Sequence, residues 1–131
     1  MKEIKEVKKD LNELRKLTHA IKAIESAANM HKSRIKLLCN LAPSDKIKEL
    51  ILKEEELLKT IYSADKIEET QRLEKSYMNA IMSLDPTDRS IALNTYINGL
   101  PYWKTGLEVG YTEEGVRKRI AKIVKQIATV L

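Results

Sequence analysis

No glycine or proline occurs before Pro43, and through that unbroken stretch the apolar residues recur every three or four positions. The run is Ile4, Val7, Leu11, Leu14, Leu17, Ile21, Ile24 and Ala28. At 3.6 residues per turn these side chains line one side of a helix about 25 residues long. The step from Leu14 to Leu17 breaks a strict heptad, and an ideal coiled-coil seam would place Thr18 and Glu25 in the core. A stripe that drifts in this way suits helix-on-helix packing in a small bundle better than a long two-stranded zipper. Lys5, Lys8, Lys9, Lys16 and Lys22 fall on the other side and are expected to be solvated.

The stripe continues through Ile35, Leu38 and Leu41 and stops at Ala42-Pro43-Ser44-Asp45. Proline disfavours helical geometry in the residue before it, and Ser44 or Asp45 can cap a new helix. A second stripe follows in Ile47, Leu50, Ile51, Leu57, Leu58, Ile61, Tyr62, Leu73, Tyr77, Ile81 and Leu84, interrupted at Glu54-Glu55-Glu56 and from Asp65 to Arg72. Two reverse-running helices joined by a short loop would bury the two stripes against each other. A hairpin alone leaves apolar faces uncovered, so residues 1–84 are expected to self-associate. The alternative is an intramolecular bundle closing on the C-terminal part. Tyr62 and Tyr77 are expected in the core, and Cys39 reads as a small buried apolar residue.

Composition narrows the classes. The chain has 131 residues, 33% of them charged, with 24 Lys plus Arg against 19 Asp plus Glu, for a net charge of +5. That length holds one small domain with a helical extension, not a doubly wound sheet with a substrate domain or an α/β barrel. Phe is absent and aromatics are 5%, which speaks against a β-sandwich and for an all-α protein. A lone cysteine excludes an intrachain disulfide framework and suits a reducing compartment. No apolar run reaches the roughly 18 residues needed to span a bilayer, and the charged N-terminus lacks a signal core. The expectation is a cytoplasmic protein without a membrane partner. The positive excess permits a polyanionic partner without demanding one.

Residues 85–131 read as a second unit. Asp85 can cap a helix, Pro86 fits its first position, and Asp88 lies in the positive field of the first turn. Ile91, Ala92, Thr95, Tyr96 and Ile97 make its apolar face, and Asn98-Gly99 ends it. Pro101 opens a short helix from Tyr102 to about Val109, which Gly110 terminates. Thr112 caps a third helix, roughly 113 to 129, with Val116, Ile120, Ile123, Val124 and Ile127 on its buried side. Two helices separated by Gly110-Tyr111-Thr112, the second rich in Arg and Lys, have the layout of a helix-turn-helix. The cap leaves the leading end polar, and Arg117, Lys118, Arg119, Lys122 and Lys125 supply donors.

The stretch Asn98-Gly99-Leu100-Pro101-Tyr102-Trp103-Lys104-Thr105-Gly106-Leu107-Glu108-Val109-Gly110-Tyr111-Thr112-Glu113-Glu114-Gly115-Val116-Arg117-Lys118-Arg119 resembles region four of bacterial sigma factors. Within that group it is most similar to sigma-like phage proteins of the RinA and ArpU type, which activate late operons. The resemblance covers about residues 84 to 127. It implies a helical N-terminal half, a C-terminal helix-turn-helix, double-stranded DNA and RNA polymerase as partners, a bacterial host cytoplasm, and no cofactor. Thr105-Gly106 stands where such proteins usually carry Ile-Ala, and Pro101 replaces a capping Ser. Either the scaffold helix is marginal there, or Gly106 permits close approach of the recognition helix.

By the same resemblance Glu113, Glu114 and Lys118 are the base readers, and Thr112 and Arg117 hold phosphates. Lys122 joins them on helical phase. Glutamate can accept from cytosine N4, and lysine can donate to guanine O6 or N7. The plainer alternative is that Glu113 and Glu114 complement the helix dipole and Lys122 is solvated surface. Arg119 borders the buried stripe, where pairing with Asp88 or Glu108 competes with a DNA role. Trp103, the only tryptophan, is an interface candidate pointing sideways or outward. It either covers the N-terminal hairpin or meets a polymerase subunit, another protomer or the DNA backbone. His19, His31 and Cys39 match no compact zinc spacing, and no catalytic constellation is marked out, so neither metal nor enzyme activity is expected. The expected function is a sequence-specific DNA-binding transcription regulator. Two alternatives are a small terminase-like packaging subunit, which would form a ring, and a protein-interaction or inhibitor module keeping the helix-turn-helix as scaffold.

Overall fold

The computed structural model describes residues 2–63 and 67–131. The side chain of Tyr62 and the start of the polar interruption at Asp65 lie outside the described residues. The described chain is all-helical: α1 (Ile4–Cys39), α2 (Asp45–Ser63), α3 (Ile67–Met82), α4 (Pro86–Ala92), a π-helical turn (Leu93–Ile97), α5 (Tyr102–Val109) and α6 (Glu113–Val130). No strand occurs among the described residues. No helix there is long and apolar enough to cross a membrane.

The chain divides into two compact units, Met1–Thr18 with Gln71–Leu131, and His19–Thr70. The dividing points thus fall inside α1 and at the start of α3, not between residues 84 and 85. The cause is the first stripe. Val7, Leu11 and Leu14 are fully buried in one cluster with Tyr77, Ile81 and Leu84 of the α3 region, Ile91 of α4, and Val116, Ile120, Ile123, Val124 and Ile127 of α6. The beginning of α1 and most of α3 thus share one core with α4 to α6. Burying a large aliphatic side chain contributes about 1.5–3 kcal/mol, so these few leucines and isoleucines hold the unit together. Ile4, by contrast, is exposed.

The hydroxyl of buried Tyr77 donates to the Asp10 carboxylate at 2.6 Å, tying α3 to α1. Lys2 reaches the same carboxylate at 3.3 Å. Asp88, expected in the dipole field of α4 and as one of two candidate partners for Arg119, is 1% exposed. It accepts two bonds from Arg119 of α6, Nε at 2.5 Å and Nη2 at 2.8 Å. A buried carboxylate requires such a partner, and a bidentate guanidinium satisfies both its oxygens. Asp85 occupies the cap position of α4 and Pro86 its first turn, yet the Asp85 side chain makes no capping bond.

The second unit is a helical hairpin. His31 of α1 meets Glu54 of α2 with Nδ1 and Oε2 2.5 Å apart, and Arg34 approaches the same carboxylate at 3.6 Å. Ser44 starts α2, its Oγ accepting from the Ile47 amide at 3.1 Å. Helix α1 ends at Cys39, before Leu41, and the Cys39 thiol is exposed, not buried. Lys5, Lys8, Lys9, Lys16 and Lys22 are all exposed, as expected.

Candidate nucleic-acid interface

The turn between α5 and α6 follows from three residues. Gly110 takes a left-handed φ of +77°, accessible to glycine without steric cost, and its amide closes α5 on the Gly106 carbonyl. Thr112 is extended, and its Oγ1 accepts from the Gly115 amide at 3.0 Å, capping α6. At Gly106 the close approach is made by the turn backbone, not by the recognition helix itself. A Cβ there would run into the Tyr111 carbonyl oxygen and stand 3.2 Å from its carbon. The Tyr111 amide also donates to the Gly106 carbonyl at 2.9 Å. Gly106 is therefore a site of close approach, where the turn backbone lies directly against α5.

Helix α6 has two distinct sides. Val116, Ile120, Ile123, Val124, Ile127 and Ala128 enter the core. Thr112, Glu113, Glu114, Arg117, Lys118, Lys122 and Lys125 are all exposed. Lys118, Lys122 and Lys125 stand three and four residues apart and so form one cationic ridge. The leading turn is organised around Arg117. It meets Glu114 at 3.3 Å and Glu113 at 3.8 Å, and its guanidinium lies 5.9 Å from the centre of the Tyr102 ring. Both ion pairs are solvent-exposed, hence worth ~0.2–1 kcal/mol, and are readily exchanged for other partners.

The structure brings Thr112, Glu113, Glu114, Arg117 and Lys118 together at the start of α6 and sets Lys122 one turn further on. Arg119 is removed from the donor set, because its guanidinium is held by Asp88, whose hydrogen bonds and charge raise its pKa further. Trp103 is 55% exposed. Leu107, one turn along α5, is 75% exposed, and Tyr111 in the turn is also exposed.

Two residues beside the site escaped the sequence pattern. Lys8 and Asn12 of α1 line a cleft of about 310 Å³ together with Tyr96, Tyr102 and Arg117. Their only sequence signal is position on the flank of the Val7–Leu11–Leu14 stripe, and that flank acquires meaning only once α1 is packed beside α6. Burial pushes the Tyr96 phenol up from 10.0, so it stays neutral through the physiological range. Among the described residues no group of His, Cys, Asp or Glu is arranged to hold a metal ion. Compared with family models, curated proteins and solved structures, the chain has no match.

Proposed function

We propose that this chain is a sequence-specific, sigma-like DNA-binding transcription regulator, phage-encoded and acting in the cytoplasm of a bacterial host. Helix α6 enters the major groove by its capped N-terminal end. The observation that carries this reading is the accessible leading turn of α6, with Thr112, Arg117 and Lys118 all exposed and the Lys118–Lys122–Lys125 ridge continuing from it. Lys118 reads a base edge with Glu113 and Glu114, while Thr112, Arg117 and Lys122 hold phosphates. Arg117 can release its exposed carboxylates when a phosphate offers a stronger bidentate partner.

From residue 112 to 131 five basic side chains stand against two acidic ones. With Arg119 held by Asp88, the other four cations can neutralise about four phosphates per protomer, and affinity falls steeply as salt rises. A homo-oligomer joined through the helical hairpin would bring a second recognition helix to a half-site about 10 base pairs away or a multiple of that. The deciding experiment is selection of bound sequences from random DNA, followed by affinity for the selected and a scrambled duplex at two salt concentrations. Equal affinities would remove sequence-specific regulation. The exposed Trp103 and Leu107 favour a second role, contact with a protein such as RNA polymerase. Loss of polymerase recruitment in Trp103→Ala, with DNA affinity intact, would support that role.

A further inference from the structure

Charge on the first turns of α1 is sorted by side. Asp10 faces α3, where it accepts the Tyr77 hydroxyl, and the charge of Glu6 also acts on that phenol. The other flank carries Lys8 and Asn12, which line the cleft with Tyr102 and Arg117. Further along this flank Arg15 lays its guanidinium over Gly99, whose φ of +66° leaves that side of the backbone bare. Lys5 and Lys16 fall within the same sector at 100° per residue. At the start of α1, Lys8 and Asn12 therefore lie on the flank that adjoins α6.

We propose that Lys8 and Asn12 of α1 join Arg117 of α6 in holding one phosphate of the duplex backbone. The inference rests on the DNA-binding reading and adds to it a contact from outside the helix-turn-helix. A helix lying in the major groove has a phosphate strand along each of its flanks. One flank of α6 carries Arg117 and Ala121, and both line this cleft. Lys8, Asn12 and Arg117 are exposed at it, so its donors are open to solvent. Lys8, Asn12, Tyr102 and Arg117 line this space of about 310 Å³ together with Ile120, Ala121 and Val124, and it is large enough for a phosphodiester group. The nearby carboxylates are Glu113 and Glu114, both already paired with Arg117. A phosphodiester carries one negative charge, and because Arg117 is shared with Glu113 and Glu114, Lys8 supplies the cation that neutralises it.

The test is fluorescence anisotropy of the full chain with a labelled random-sequence duplex of about 30 base pairs, between about 50 and about 200 mM salt. Each phosphate contact contributes a slope of about −0.9 in log affinity against log salt. Lys8→Ala should flatten the slope by about 0.9, so its deficit against the unaltered chain shrinks about 3.5-fold over that fourfold salt range. Lys8→Gln should behave the same way, and Lys8→Arg should restore the slope. Lys36→Ala, which removes an exposed charge from the hairpin unit, should leave it unchanged. A steep slope retained in both Lys8→Ala and Lys8→Gln would overturn the inference and leave the DNA-binding reading standing. So would an equal loss in Lys36→Ala, which would mean a general charge effect. If the unaltered chain has no salt-dependent affinity for the duplex, both fall together.

Discussion

Replacing Gly106 with alanine puts one methyl group where the turn passes closest to α5. Two effects oppose each other. Alanine is a better helix former than glycine by about 1 kcal/mol, which by itself would stabilise α5. The new Cβ, however, meets the Tyr111 carbonyl oxygen and lies 3.2 Å from Tyr111 C and 3.4 Å from Thr112 C. These are backbone atoms, which cannot rotate aside as a flexible side chain does. Overfilling a packed site costs about 1–3 kcal/mol, and rigid neighbours place this case near the upper end. The net expectation is a loss of about 2 kcal/mol, equivalent to a fall in Tm of roughly 8 °C for a chain of this size. Thermal melting followed by circular dichroism measures it. DNA affinity should fall as well, because moving the turn displaces Thr112 and the start of α6. A Gly106→Ala protein more stable than the unaltered chain would mean that helix propensity alone governs the site, and the close approach would be refuted.

The Thr105 side chain is buried and its hydroxyl has no hydrogen-bond partner, so Thr105→Val should raise stability by about 1 kcal/mol in a urea titration. Alkaline pH should destabilise the fold. The Tyr77 and Tyr96 phenols are raised above 10.0 in the folded chain by burial, Tyr77 also by Asp10. Unfolded tyrosines therefore ionise first, so the stabilisation is complete below about pH 10 and declines as pH rises above it. A Tm unchanged from pH 9 to pH 11 (about one unit either side of the unfolded phenol pKa) would contradict that linkage. Trp103→Ala should leave Tm within the range of ordinary surface substitutions, about 0.5 kcal/mol, since the indole is mostly in water. Charge reversal by Lys118→Glu with Lys122→Glu should abolish duplex binding at about 150 mM salt without changing the melting curve. Retained binding would place the DNA surface elsewhere.

Much of the local structure was legible because it depends on near neighbours. The span Tyr102–Val109, the stop at Gly110 and the Thr112 cap each follow from one residue's backbone or hydroxyl chemistry. The buried side of α6 is the residue set its 3.6-residue period marks out. The exposure of Lys118 and Lys122 follows from the same period. Other features were not legible. Leu93–Ile97 adopts a π-helical turn, with the Asn98 amide bonding to Leu93 O at 2.9 Å, where an ordinary helix was expected. Cys39 reads as buried by residue type, yet exposure depends on what packs over the end of α1.

Residue order alone determined that this chain is helical, where most of its helices begin and end, and which side of each is apolar, because those properties arise within a turn or two of backbone. Tertiary structure decided which apolar sides meet. It drew Val7, Leu11 and Leu14 into the same core as α6, so the division of the chain falls within α1. It also withdrew Arg119 into a bond with Asp88, 31 residues away, and set Lys8 beside Arg117. Such pairings depend on which distant surfaces exclude water together, and no short stretch of sequence contains that information.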